Sequence, residues 1–350
     1  MGVTQDIEFE ERLQQEVTRE TQRLRAQLNE ATEEKKAMQE LLDFYNAARE
    51  APISPPRWVR EAKKKSGHVG IVVAQLTDTH FDEVVQPAEV MGYNAYNRDI
   101  ARRRLRTWSE KVVTLPRDYV RGLSIEGLFV PATGDIFTGD IHPELKESNE
   151  TKLLASVLEW MEPMITVLES LEKEYPSVYV AAVVGNHGRL SMKPVFKGRV
   201  HDNVEWLYWS VIRDRLADRG SKVQVDVSTS PDLAVPIYGR THLLTHGDQF
   251  RGGTGISGAY APLALGQHRK NVRQIAMGDP MQLMVMGHFH QLLDLPGIVM
   301  GGSMKGYDEY AFNLNLRPEL AGQMMWITTP ERGKTITIPV ILQDREAEGW

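Results

Sequence analysis

Val69-Gly70-Ile71-Val72-Val73-Ala74-Gln75-Leu76-Thr77-Asp78-Thr79-His80 is an apolar run that gives way to an Asp-x-His triplet. Val69 to Leu76 reads as a buried strand, and residues of metal-binding types follow it at once. Four more runs repeat the pattern. Leu128–Pro131 leads to Gly134-Asp135, and Val178–Val184 leads to Gly185-Asn186-His187. Thr241–Leu244 leads to Thr245-His246-Gly247-Asp248, and Leu283–Met286 to Gly287-His288-Phe289-His290. Helical segments lie between them, notably Thr151–Glu174 and Asn203–Asp218. Strands alternating with helices predict an α/β domain. Ligands of such sheets gather at the carboxyl ends of the strands. One rim therefore receives Asp78, His80, Asp135, Asn186, His246, His288 and His290. Alternation along an extended chain points His288 and His290 the same way.

The flanks differ from this middle. Asp6 to Glu50 has no Gly or Pro and is dense in Glu, Gln, Arg, Lys and Ala, which favours helix. Val17, Thr21, Leu24, Leu28, Ala31, Lys35, Met38, Leu42 and Tyr45 alternate in steps of four and three, an imperfect heptad seam. Two readings stand: a coiled coil that makes a homodimer, or a single amphipathic helix lying on the next domain. Ser54-Pro55-Pro56 cannot continue the helix, and a basic linker through Lys63-Lys64-Lys65 follows. The expected boundaries are 1–50 for the helix, 51–67 for the linker and 68–345 for the α/β domain. Gln323–Thr329 and Thr335–Leu342 flank Pro330-Glu331-Arg332-Gly333, which predicts a terminal antiparallel hairpin.

Composition narrows the chemistry. With 350 residues the chain can form one large domain or two modest ones. Its 41 Lys+Arg against 47 Asp+Glu give −6, which argues against a wholesale polyanion-binding surface and leaves room for a local basic groove. Without cysteine there are no disulfides, thiolate zinc sites, iron–sulfur clusters or cysteine nucleophiles, so metal chemistry falls to ten histidines. The acidic start MGVTQDIEFEER is no signal peptide, and Asp6 stands where an N-myristoylation signal wants Ser or Thr. No apolar run approaches bilayer length. A cytoplasmic protein without a membrane partner is expected.

The ordered set Asp-x-His, Gly-Asp, Gly-Asn-His, His and Gly-His-x-His resembles the calcineurin-like metallophosphoesterases, over residues from about Val69 to His290. The resemblance implies a four-layer α/β/β/α sandwich with a two-metal centre between the sheets. It implies one metal on Asp78, His80, Asp135 and His290, and another on Asp135, Asn186, His246 and His288. Asp135 would bridge them, and His187 would face the scissile phosphate. Gly188 and Arg189 stand where the family usually follows Gly-Asn-His with an acid. Gly134-Asp135-Ile136-Phe137-Thr138-Gly139-Asp140 lacks the Asp-Arg-Gly ending of the protein Ser/Thr phosphatases. Gly-Asp-Ile-Phe looks more like the break-repair nucleases, with Thr138 where some of those carry a histidine. Residues 245–255 and 305–310 look similar to phage-encoded members, which would place the protein in a host cytoplasm.

Four imidazoles, two carboxylates and one amide suit Mn, Fe, Zn, Ni or Co better than Mg or Ca, with two Mn2+ the first expectation. Two such cations against two carboxylates leave a formal charge of about +2, which draws a phosphoryl anion. A water bridging both metals becomes the nucleophile, and His187 can give a proton to the leaving oxygen. Arg189 and Arg251 are candidates to grip phosphate oxygens, and Lys305 and Tyr307 to touch a phosphate or base. Asp248 is a candidate to hydrogen-bond a ligand imidazole. Arg102-Arg103-Arg104-Leu105-Arg106 either tracks a nucleic-acid backbone or is a solvated helix face. The expected activity is a dinuclear metal-dependent phosphoesterase, diesters before monoesters, with DNA or RNA ahead of small nucleotides. The alternative is a non-enzymatic coiled-coil assembly module carrying the same scaffold.

Overall fold

The computed structural model describes residues 3–62, 68–250 and 260–350. It forms two units, Met1–Pro52 and Ile53–Trp350. The first is helix α1 (Val3–Glu50), on which Leu24, Leu28, Met38 and Leu42 are exposed. No helix among the described residues is long and apolar enough to cross a membrane.

The strands of the second unit are, in chain order, β1 (Val69–Ala74), β2 (Ser124–Ala132), β3 (Val178–Ala182), β4 (Gln224–Val227), β5 (Asp232–Ile237), β6 (Arg240–Thr245), β7 (Leu283–Met286), β8 (Leu293–Leu295), β9 (Ile298–Met300), β10 (Gly322–Thr329) and β11 (Gly333–Ile341). Its helices are α2 (Arg57–Arg60), α3 (Arg98–Tyr119), α4 (Pro143–Ser148), α5 (Leu153–Glu159), α6 (Met161–Glu174), α7 (Val204–Asp218), α8 (Tyr260–Ala276), α9 (Glu309–Asn313) and α10 (Arg345–Glu348).

One sheet has the order β11-β10-β1-β2-β3-β4 and the other β5-β6-β7-β9-β8. In the first, β1 to β4 run parallel, with Val72 beside Leu128. The terminal hairpin adds to β1 antiparallel, with Val72 opposite Ile327. In the second, β6, β7 and β9 are parallel and the edges antiparallel. All six residues of β1 are buried, as expected of a central strand covered on both faces. Ile71, Val73, Phe129, Tyr179 and Trp326 from one sheet meet Val235, Leu244, Val285 and Val299 from the other in a shared core. Leu263 of α8 packs with Met284, Met286 and Met300 on the far side of the second sheet. Helices α3, α6 and α7 associate with the first sheet. The layers are therefore α/β/β/α, as the resemblance implies.

Four expectations change. Thr151–Glu174 is two helices, parted at Trp160, which is buried, stacks on Phe81 and donates its indole N–H to Asp82. The sandwich begins at Ile53, inside the stretch assigned to the linker, because Trp58 and Val59 join the core and Val59 O accepts from Tyr238 N. It also continues past 345, because Glu348 binds Arg104. That bond corrects the Arg-rich helix as well. Arg104 is buried, with its guanidinium committed to Glu348, Asn94 and the carbonyls of Ala95, Met304 and Lys305. Trp206, Tyr208 and Trp209 are buried in the core.

Candidate metal centre

The chain turns aside at five of the seven candidate ligands. Asp78, His80, Asp135, His288 and His290 have φ of +47°, +46°, +53°, +74° and +56°. Left-handed backbone is uncommon outside glycine and gathers at functional sites. It also corrects the expected alternation of the two C-terminal histidines. β7 stops at Met286, and His288 and His290 aim at different clusters from left-handed positions instead of sharing one face of a strand. The neighbouring glycines make room for this crowding. A Cβ on Gly185 would lie 2.1 Å from Asp135 Oδ1, and one on Gly287 would lie 2.1 Å from Asp78 Oδ2.

Asp78, His80 and His290 form one group of ligand atoms, and Asp135, His246 and His288 a second. In the first, Nε2 of His80 and Nε2 of His290 face each other at 3.0 Å, and His290 Nε2 is 3.3 Å from Asp78 Oδ1. In the second, His246 Nε2 is 2.9 Å from Asp135 Oδ2 and 3.1 Å from Asn186 Oδ1. The groups are tied together, because the His288 N–H donates to the Asp78 carboxylate at 3.0 Å. His187 lies at the junction, with its N–H on Asp135 Oδ1 (2.8 Å) and its ring 4.8 Å from that of His80.

The donors fit divalent cations. His246 donates Nδ1–H to Thr133 O at 2.8 Å, which leaves Nε2 as the lone-pair atom. Acceptors of Asp135, Asn186 and His246 then converge on one point and repel unless a proton or cation lies among them. Without a cation the ring takes a proton. Burial opposes the charge, but Asp135 outweighs it and pushes His246 up to about 10. Burial and then His246 push His288 down to about 4. Burial, followed by Lys305 and His187, holds His80 well below the usual imidazole range. Imidazole and carboxylate together are the ligand chemistry of borderline first-row metals.

Two acids behind the ligands escaped the sequence reading. Glu205, on the first turn of α7, is fully buried and accepts Ile136 N–H and Gly185 N–H, each at 2.8 Å. Those amides flank Asp135 and Asn186, so one side chain steadies both loops. Burial and then Asp135 push its carboxyl up to about 8. A Cβ on Gly188 would lie 2.8 Å from Glu205 Cγ, so the side chain missing at 188 leaves the space that Glu205 uses. The only hint in the sequence was Asn203-x-Glu205 opening a helix, ordinary capping chemistry. Glu83 lies 3.4 Å from His80 Nδ1 and accepts from Thr138 Oγ1.

The candidate substrate contacts fall elsewhere. Lys305 is buried, with Nζ 2.7 Å from Glu83 and 2.5 Å from Asp308, which leaves no face for a phosphate. Burial disfavours its charge, but Asp308 and Glu83 raise it well above the usual range. Tyr307 is buried too, and its hydroxyl donates to Leu316 O. Arg189 spends its guanidinium on the carbonyls of Asn186, Ser191 and Met192. Asp248 pairs with Arg199 at 2.6 Å. Arg251 lies outside the described residues.

A two-sheet α/β sandwich with paired His/Asp groups at its strand ends matches the metallophosphoesterase arrangement implied by the motifs. No protein-family model and no curated protein matches the chain. Among solved structures it is similar to Vacuolar Protein Sorting 29 from Cryptosporidium parvum, at 14% identity over 77% of this chain and 96% of that one, TM-score 0.30. It is similar to a predicted phosphoesterase from Streptococcus pneumoniae at 10% identity, over 79% and 98% of the chains, TM-score 0.26. It is also similar to a dimetal phosphatase from Danio rerio at 11% identity, over 78% and 99%, TM-score 0.29.

Proposed function

We propose that the chain is a dinuclear metal-dependent phosphoesterase that prefers diesters, with nucleic acid as substrate and small nucleotides as the runner-up. The observation that carries this is the pair of acceptor-rich groups, Asp78/His80/His290 and Asp135/His246/His288, joined by the His288–Asp78 bond. Asn186 would complete the second group, and Asp135 is the proposed shared ligand. Divalent cations held there would supply Lewis acidity toward the phosphoryl group and an activated water. The chain's own part is orientation and proton handling. His187 donates Nδ1–H to Thr138 O at 2.6 Å, which fixes the ring; in the imidazolium form, which burial disfavours and Asp135 favours, its Nε2–H is the proton for the leaving oxygen.

Hydrolysis of bis-p-nitrophenyl phosphate with Mn2+, followed by nucleic-acid and nucleotide diesters, tests the reading. Inactivity on all of them would remove it. His187→Asn should lower kcat and leave metal content unchanged, and loss of the metals would show a different role. A second proposal is self-association through α1, supported by the exposed Leu24, Leu28, Met38 and Leu42 along one seam. Light scattering with and without residues 1–50 tests it, and an unchanged monomer mass would exclude it.

A further inference from the structure

Residues 189–199 read Arg-Leu-Ser-Met-Lys-Pro-Val-Phe-Lys-Gly-Arg, with four basic residues and no acidic one in a protein of net charge −6. The segment leaves the Gly185-Asn186-His187 motif and returns to α7. Its base is pinned by the Arg189–Asn203 bridge, by Leu190 N–H on Asp202 O and by Val204 N–H on Gly188 O. Its tip is bare. Leu190, Met192, Val195 and Phe196 are exposed, Phe196 to 93%. Scattered apolar residues on a surface are ordinary, but four within seven positions mark a contact surface. Arg189 and Arg199 are used inside the loop and on Asp248. Lys193 and Lys197 are exposed and have no ion pair among the described residues. Asn186, Pro194 and Val195 line one cavity, so the tip stands beside the candidate metal centre.

A rigidly based loop offering an aromatic face between two free cations suits a polymer that alternates flat apolar rings with phosphates. Unpaired bases stack on aromatic side chains, whereas a B-form duplex keeps its base faces covered. We propose that residues 190–199 form a clamp for single-stranded nucleic acid, with Phe196 stacking on a base and Lys193 and Lys197 on flanking phosphates. This deepens the diesterase reading and rests on it for cleavage, although not for binding.

The test is fluorescence anisotropy of a labelled 20-nucleotide single strand and its duplex on the full-length protein in EDTA, where the strand is bound without being cut. Phe196→Ala should weaken single-strand binding about tenfold and change duplex binding less. Lys193→Gln with Lys197→Gln should flatten the slope of log Kd against log salt by about 1.4. Both variants should keep the wild-type melting temperature. Single-strand binding by Phe196→Ala within twofold of wild type would overturn the clamp. So would unchanged strand binding accompanied by loss of co-sedimentation with phosphatidylglycerol vesicles, which would assign the loop to a lipid surface. Wild-type protein that binds the strand through Phe196 but hydrolyses no diester would leave the clamp standing and remove the diesterase reading.

Discussion

Replacing Glu205 tests how the two metal-bearing loops are held. Its carboxyl receives two buried amides, Ile136 N–H and Gly185 N–H, each at 2.8 Å. In Glu205→Ala both donors lose their partner. A buried donor left unmade costs about 1–3 kcal/mol, so the pair costs about 2–6 kcal/mol, and the emptied volume adds to it. Near the middle of that range a unit as long as Ile53–Trp350 melts about 6 °C lower. Glu205→Gln keeps one acceptor and turns an N–H2 toward the second amide, for a loss of about 1–3 kcal/mol. Urea unfolding of the metal-free proteins measures both. Because the amides flank Asp135 and Asn186, Mn2+ affinity of Glu205→Gln should also fall about 10- to 100-fold by calorimetry, the usual range for a partner that orients ligands. A loss under about 1 kcal/mol in Glu205→Ala, with metal affinity intact, would refute this role.

Glu348→Ala leaves the buried Arg104 guanidinium without its carboxylate and should cost about 3–5 kcal/mol in urea unfolding; a neutral result would mean that the surrounding carbonyls suffice. His242 is pushed down to about 4 by burial, with Nδ1 on Arg240 O. The unfolded ring protonates near 6.5 and the folded ring near 4, so the stability from its neutral form is present above 6.5 and lost as pH falls through 4, by about 3 kcal/mol. Urea midpoints from pH 7 to pH 4 should therefore fall more steeply for wild type than for His242→Gln, and parallel curves would contradict this. His246→Ala should bind one Mn2+ where wild type binds two in a calorimetric titration, and retention of both would reject the assignment of the second group.

The strand ends were legible because a buried strand is a local pattern. Val69–Ala74, Val178–Ala182 and Leu283–Met286 are uniform apolar runs, and their polar successors fall at strand ends wherever the strands sit in the sheets. Short β8 and β9, three residues each, carry too few positions for any period to show. Lys305 in a Gly-rich loop looked free to meet a phosphate. Its partner Glu83 lies 222 positions away, and no local pattern announces such a pairing. Arg104 likewise read as one of four surface arginines until Glu348 met it from the far end of the chain.

The order and type of the metal-binding residues come from the amino-acid sequence, since each lies within a few residues of a strand whose apolar pattern is its own signal. Their division into two groups has no local pattern; the family resemblance implied it, and its physical reason lies in the tertiary structure. His288 and His290 are two positions apart, yet they turn to different partners because left-handed backbone after β7 meets Asp78 from one sheet and His246 from its own. The same holds for the supporting acids and for the free cations of the 190–199 loop. Whether a charge is spent inside the protein or offered to a ligand depends on neighbours that only packing brings near.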